Sequence, residues 1–535
     1  MGGPSARVRA RPGLSGHLSG STILCFHGRG GPFSPAPPML EMWVRTARQV
    51  MTTVRSLAHR LVHVDEVTQR VESATTSLQR TVDALRVEHA ALQHRLDAVE
   101  RSAAARDRQG ARAVSALHDT VNLVARRGAF RHDVTRVVLL VHHVEAWDSL
   151  DDLVRLMEMS DDFDPVVVTI PRHFGGQGEL RDEDLVHEGL LARGVAHLRA
   201  TADRVDDVLR LVKLLEPDVV IRQSQWDQDV DPLLSTALLG FARLCVVPYE
   251  TMNLVVNVPD PRTPAVNTAV DADLHRAAWL VFCTNEQTRD AAARDGVRGA
   301  DRYRVTGHPK LDVLRTARPS WPVVERESRR PRVVWSSHHS IGGGWTRFGL
   351  FPELAEDMLE WARQGDAEIV WMPHPALVPY MAREGSRYTA SQYEDWLARW
   401  SELGNTGVVQ GGGYAPVLAA ADVMVTDGLS MLAEFQVLNK PVVFVERDGH
   451  RPFTDLGERI AAGTHVVHDT AGAREVVERV LREGDELAPV QERNVAELFG
   501  PPGAAGRILD VLRAEIAAER AGHRVPEAVV EPGLG

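Results

Sequence analysis

From residue 135 onward the chain repeats one local pattern, a short run of β-branched and aliphatic residues followed by a stretch with helical spacing. The runs fall at 136–141, 165–170, 218–221, 244–247 and 279–283, then at 333–335, 368–371, 407–409, 423–426, 442–445 and 464–467. Helical periodicity occupies 151–159, 181–193, 203–215, 472–483 and 504–519. The runs are apolar throughout rather than alternating, so each strand is covered on both faces. Strands of that kind, interleaved with helices, make a parallel doubly wound sheet. A Pro- and Arg-rich stretch at 317–332 breaks the series in two. The pattern predicts an α/β chain with two Rossmann-like halves, a short linker and a cleft between them.

Before residue 128 the period is different. One heptad register holds Leu57, Leu61, Val64, Thr68, Val71, Thr75, Leu78, Val82, Leu85, His89, Leu92, Leu96 and Val99. Leu or Val fills every d position, and Thr68, Thr75 and His89 fall at a. A seam this long predicts a coiled coil, in which polar a layers fix register and oligomer number at some loss of stability. The expected organisation is a disordered arm at 1–40, a coiled-coil helix at 41–127, an N-terminal half at 128–318, a C-terminal half at 330–519 and a tail at 520–535. The arm is rich in Gly, Pro, Ser and Arg, and Met39, Met42 and Met51 are alternative starts.

A net charge of −12 speaks against general nucleic-acid binding, which demands basic surface. No apolar run approaches the roughly 18 residues that span a bilayer. Cys25, Cys245 and Cys283 lie far apart without ligand spacing and read as reduced thiols of a cytosolic protein. Only Lys213, Lys310 and Lys440 are lysines among the 61 basic residues, and two of these fall in the motifs below.

Residues 417–448 read as helix, strand, turn, helix, strand, a parallel βαβ unit. Its turn, Asp427-Gly428-Leu429-Ser430, stands at the carboxyl edge of the sheet, where open α/β sheets bind ligands. Unpaired N–H groups at a helix start attract phosphate, and Thr426 and Ser430 place hydroxyls beside them. An ordinary capped turn has the same composition.

Three motifs then occur in one order: Gly307-His308-Pro309-Lys310-Leu311-Asp312, Trp371-Met372-Pro373-His374-Pro375, and Thr426-Asp427 with Asn439-Lys440-Pro441 and Asp448. Together they resemble the CDP-glycerol glycerophosphotransferase family, well over about residues 300–470 and loosely from 134. The resemblance implies the GT-B fold and an enzyme that builds teichoic-acid-type polymers. It implies a donor site formed by Ser336, Ser337, His338, His339, His374, Thr426, Asp427, Gly428, Ser430, Glu434 and Asp448. His308, Lys310 and Asp312 complete the motifs. The chain departs from the family at Gly428 and Leu429, which replace Tyr and Ser, and at 336–339, which replaces a Pro-Thr-Tyr-Arg turn. Loss of a permanent cation changes how a diphosphate is held. His374 is expected to supply that cation and to act in catalysis. Asp427 is expected to cap the helix or orient its neighbours, and Glu434 or Asp448 to contact donor hydroxyls.

The family's His-Gly-Thr stretch, with its candidate base, has no counterpart; the matching place reads Val247-Pro248-Tyr249-Glu250-Thr251. Glu250, His142 and His143 are therefore the candidate bases. Asp227-Gln228-Asp229 and Asp271-Ala272-Asp273 resemble Asp-x-Asp metal motifs, but such triplets arise by chance at 25% charged residues. No metal is expected at the histidines 338, 339 and 374, which lack a carboxylate or Cys at ligand spacing. EDTA is expected to leave activity intact, and no cofactor is expected. The loops Gly342-Gly343-Gly344 and Gly411-Gly412-Gly413 lack the Lys-Ser/Thr of a P-loop.

The expected function is transfer of a glycerol-phosphate-like unit from a CDP-activated nucleotide diphosphate to a lipid-linked or glycan acceptor of the cell wall or capsule. A homo-oligomer joined by the coiled coil would perform it, in the cytoplasm or peripherally at the inner face of the membrane. The alternatives are a sugar-nucleotide glycosyltransferase and a degenerate GT-B binding module that serves the coiled coil.

Overall fold

A computed structural model of the 535-residue chain describes residues 38–126, 133–173, 181–201, 205–257, 267–323, 329–342, 346–382, 386 and 388–522. The arm expected at 1–40 lies outside the described residues up to 37, as does the tail from 523. The chain forms two units, residues 1–108 and 109–535. A single helix, Pro38–Arg126, accounts for the described part of the first unit. Along it Leu57, Val71, Leu78, Leu85, Leu92, Leu96 and Val99 are each more than half exposed. The side chains of Leu61, Val64 and Thr68 lie outside the described residues. Among the described residues no helix is long and apolar enough to cross a membrane.

The second unit holds two parallel sheets. The first has β1 (Thr135–Val141), β2 (Phe163–Thr169), β3 (Leu198–Arg199), β4 (Val219–Arg222), β5 (Arg243–Val246), β6 (Leu280–Cys283) and β7 (Tyr303–Val305), in the order β3-β2-β1-β4-β5-β6-β7. The second has β8 (Arg332–Ser337), β9 (Glu368–Pro373), β10 (Thr406–Val408), β11 (Val423–Thr426), β12 (Val442–Val445) and β13 (His465–Val467), in the order β10-β9-β8-β11-β12-β13. Counted from its own first strand, each sheet begins 3-2-1-4-5-6, the doubly wound Rossmann order. The expected two-half α/β fold is thus present. The short edge strands β3 and β7 were not expected, because they lack an apolar run.

The side chains of β1 alternate between two cores. Val137, Leu139 and Val141 face one with Trp147 and Leu153, while Val138 and Leu140 face the other with Val168, Val220 and Leu244. Four tryptophans, Trp335, Trp371, Trp396 and Trp400, fill one face of the second sheet. The halves also exchange helices. Leu311 and Leu314, from the helix Pro309–Thr316 that ends the first half, pack among Val334, Val370 and Met424 of the second. In return, the helix Ala504–Gly522 sends Ala505, Ile508, Leu509, Leu512 and Ile516 into the core beneath β1. Arg513–Asp162, Arg243–Glu519 and Arg304–Glu515 ion pairs pin it there, at 2.8, 2.5 and 2.5 Å. Cys245 and Cys283 are buried free thiols, and Cys25 lies outside the described residues.

Candidate functional site

Where strand order reverses, the loops leaving two neighbouring strands part and open a crevice at their carboxyl ends. In the first sheet this point lies between β1 and β4, and in the second between β8 and β11. The residues following those strands are His142-His143 and Gln223-Ser224-Gln225 in the first half, and His338-His339 and Asp427-Gly428 in the second. A cavity of about 630 Å³ is lined from both halves, by His143, Gln225, Asp229, Tyr249 and Lys310 on one side and Ser336, Ser337, His338, His339, His374, Tyr414, Gly428 and Ser430 on the other. Its size suits a small organic ligand. At its rim Gly412, at φ +87°, brings the halves so close that a Cβ there would lie 2.8 Å from the Glu145 Cα. Two Rossmann halves facing each other across a ligand-sized cleft, with the last helix returned to the first half, define the architecture. The fold is GT-B.

No protein-family model and no curated protein matches the chain. Solved structures similar to it include UDP-GlcNAc 2-epimerase from Neisseria meningitidis bound to UDP-GlcNAc, at 13% identity and TM-score 0.48 over 71% of this chain and 100% of that one. The UDP-GlcNAc 2-epimerase of Methanocaldococcus jannaschii, in complex with UDP-GlcNAc and UDP, matches at 14% identity and TM-score 0.46, over 71% and 100%. The wall teichoic acid polymerase TagF matches at 12% identity and TM-score 0.47, over 76% and 98%. Likenesses this distant add nothing to what the strand order establishes.

On the C-terminal wall three imidazoles stand together. The ring centroid of His339 lies 4.2 Å from those of both His338 and His374, which are 5.5 Å from each other. Two prolines bracket His374 at the end of β9, and its N–H donates to the Ser337 carbonyl at 2.9 Å. The Ala376 N–H donates to His374 Nδ1 at 3.0 Å, so the proton of the neutral ring sits on Nε2. Burial, and after it the neighbouring His338, Arg172 and Lys310, push the His374 pKa well below its ordinary value. Burial likewise lowers His338 to about 3. His338 and His374 are therefore neutral, and the expected His374 cation requires a bound anion that raises its pKa.

Asp427 does not cap the helix Leu429–Glu434, whose N-cap is Gly428. Its carboxylate instead accepts the N–H of His338, at 2.6 Å, and that of Leu350, at 2.5 Å, fastening the loop after β8 to the turn after β11. Burial raises its pKa to about 7 against the pull of those N–H groups. Thr426 Oγ1 accepts the Gly428 N–H at 2.9 Å and points into the fold. A Cβ on Gly428 would stand 3.8 Å from the His338 Cβ, so His338 occupies the space beside it. Ser430 is exposed on the cavity wall. Glu434 lies beneath the wall, fully buried, accepting from Lys310 Nζ and Tyr414 Oη at 2.7 Å each. Asp448 is exposed and away from the lining.

Of the Gly307–Asp312 motif, Lys310 alone lines the cavity. His308 caps the helix Pro309–Thr316 and bonds the Pro248 carbonyl through Nε2 at 2.7 Å. Asp312 accepts the N–H groups of Gly503 and Ala504, holding the returning helix. On the N-terminal wall His143 lines the cavity, its ring centroid 4.6 Å from that of Tyr249. His142 is fully buried behind it. Glu250 stands one residue back from the wall, accepting from Gln225 Nε2 at 2.7 Å. Burial raises Glu250 to about 7, opposed by the Gln225 bond, and burial raises Asp229 to about 6. His142 and His143 are pushed well below their usual range, first by burial. Sequence reasoning missed Tyr414, Gln225 and Tyr380, the last packed 4.9 Å from His339. No local motif marks them.

Proposed function

We propose that the protein is a GT-B transferase that moves a polyol-phosphate unit of the glycerol-phosphate class. It would take this unit from a CDP-activated donor and pass it to a cell-wall or capsular glycan precursor. The observation that carries the reading is the convergence of His338, His339, His374 and Ser430 on one wall of the cleft, with Lys310 beside them. Imidazole N–H, hydroxyl and ammonium groups in a partly dehydrated cleft are what a diphosphate needs. Side chains carry this role, since the helix behind Gly428 has only six residues and a correspondingly small dipole. The acceptor would lie against the N-terminal half, presented at the cytoplasmic face of the membrane when lipid-linked.

Gly428 and Leu429, together with the absence of an Arg at 336–339, favour a second reading, a sugar-nucleotide glycosyltransferase. A thermal-shift series with CDP-glycerol, CDP-ribitol, CMP, UDP-sugars and GDP-sugars separates the two. A ligand that binds only the folded state at 100 times its Kd stabilises it by about 2.7 kcal/mol. A shift with CDP-polyols supports the first reading. A shift confined to UDP- or GDP-sugars replaces it with the second, and no shift at all favours a binding module.

Glu250 is the candidate proton acceptor whose charge changes near neutrality. As a base it must be deprotonated, so kcat/KM should rise with pH through about 7, and Glu250→Gln should abolish that limb. Stability runs the other way. A carboxyl whose pKa is raised from 4.5 to about 7 contributes stability that is complete below 4.5 and is lost as pH rises through about 7. Asp427 titrates in the same window, so the comparison with Glu250→Gln is what assigns the limb. A limb that survives the substitution rules Glu250 out as the base.

The exposed Leu and Val stripe on the helix Pro38–Arg126 supports a coiled-coil homo-oligomer. Light scattering should give a multiple of the 59.0 kDa chain mass for the full protein, and the single-chain mass for a truncation starting at Thr135. A full-length monomer would end this part of the proposal.

A further inference from the structure

We infer that His142, His143 and Asp229 form a site for one divalent transition-metal ion of the zinc class in the N-terminal wall of the cleft. One ligand atom from each lies within 4.8 Å of the other two. His142 supplies a second, independent observation: it is 0% exposed, and neither of its ring nitrogens has a hydrogen-bond partner. Buried polar groups are nearly always satisfied, and two orphaned nitrogens on one buried ring call for a ligand.

The surroundings hold the three residues in place. Gln223 Oε1 accepts the backbone N–H of both His142 and His143 at 3.1 Å, and its Nε2 donates to the His143 carbonyl at 3.2 Å. Asp229 Oδ2 accepts from Ser224 Oγ at 2.6 Å, which leaves Oδ1 for an ion. Asp227, two residues earlier, is committed to Arg222 and Thr236. Metal bonds near 2.0–2.1 Å in tetrahedral array separate ligand atoms by about 3.4 Å, so rotamer adjustments of little more than an ångström close the site. Three cations stand nearby, and each is paired, Arg172 with Glu145 and Asp182, Arg222 with Asp227 and Lys310 with Glu434.

Two imidazoles and one carboxylate select zinc, cobalt, nickel or iron(II) over magnesium and calcium, which prefer all-oxygen shells. Three protein ligands leave a fourth position, and it opens toward the cavity that His143 and Asp229 line. The site does not depend on the transferase reading. With His143 as a ligand, however, the proton acceptor of that reading falls to Glu250. The other cluster with metal-ligand chemistry among the described residues is His465, Asp485 and Glu486. Its groups are already engaged, His465 with Asp485 at 2.8 Å and Glu486 with Arg479 at 2.5 Å.

The test is direct metal binding to the full-length, tag-free protein after dialysis against EDTA. Titrated Co(II) should bind with one equivalent per chain, give visible d–d absorption and be displaced by Zn(II). His142→Gln and Asp229→Asn should each weaken binding at least ~100-fold, the upper end of what losing a mere supporting partner does. His465→Gln should change nothing. Thermal melts of the metal-free variants check their folding. If His142→Gln does not fold, Asp229→Asn decides alone, because its amide oxygen can still accept from Ser224. No stoichiometric binding overturns the inference, as does wild-type affinity in Asp229→Asn or loss of binding in His465→Gln.

Discussion

His374→Ala is expected to lower turnover by roughly 10²–10⁴-fold, the range for removing a positioned proton donor. It should also weaken binding of the proposed donor by one to two decades, because a charge-assisted hydrogen bond is worth about 1.5–3 kcal/mol. Both effects follow from one ring at the end of β9, with Nδ1 occupied by the Ala376 N–H and Nε2 left for the cavity. Burial holds that ring neutral. A diphosphate brings negative charge and reverses the balance, since an opposite charge favours the protonated form. Donor binding should therefore take up a proton, visible as a binding enthalpy that depends on the buffer's ionisation enthalpy. Ser430→Ala, which removes a neutral hydroxyl, should cost no more than about 1.5 kcal/mol. Unaltered binding and turnover in His374→Ala would place the diphosphate elsewhere in the cleft.

The second large effect is on stability. Glu434→Ala should destabilise the fold by roughly 3–5 kcal/mol, because it strands a buried ammonium. Lys310 Nζ, which belongs to the first half, meets Glu434 of the second at 2.7 Å, with side-chain exposures of 8% and 0%. The Tyr414 hydroxyl shares the same carboxylate and would lose its acceptor too. Replacing both ends with apolar groups removes the stranded charge, so Lys310→Met with Glu434→Leu should recover most of the loss. Chemical denaturation of the singles and the double measures this directly. A double variant as unstable as Glu434→Ala would mean that packing, not charge, carries the contact.

These predictions also mark how far the sequence is informative. β1, β8, β11 and β12 were legible because strands covered on both faces must be apolar throughout, and their first residues beyond the sheet then located His142-His143, His338-His339 and Asp427. β3 and β7 were not legible, since two or three edge residues need no such run. The long N-terminal helix was readable from its heptads, whereas the partners of its stripe are not written in any single chain. Within the cleft, His143, His338, His339 and His374 line the wall, while His142 lies behind it and His308 caps a helix. Glu434 instead lies beneath the wall, because its partner Lys310 is 124 residues away and only the folded chain brings them together. Asp229 reads in the sequence as part of a chance triplet for the same reason: its neighbours His142 and His143 leave a different strand.

The returned helix Ala504–Gly522 sets a timetable for the ribosome. Arg513 grips Asp162 across 351 residues, and Ile508 and Leu512 complete the core under β1. At a synthesis rate of roughly 5–20 residues per second, the first half waits about 10–40 s after β7, its last strand, emerges before its last core side chains arrive. During that interval the apolar face beneath β1 and the Trp147 side lacks its cover. A nascent chain arrested before residue 504 should therefore bind chaperones and be digested by protease within 135–316. Adding the missing helix as a separate peptide should restore protection.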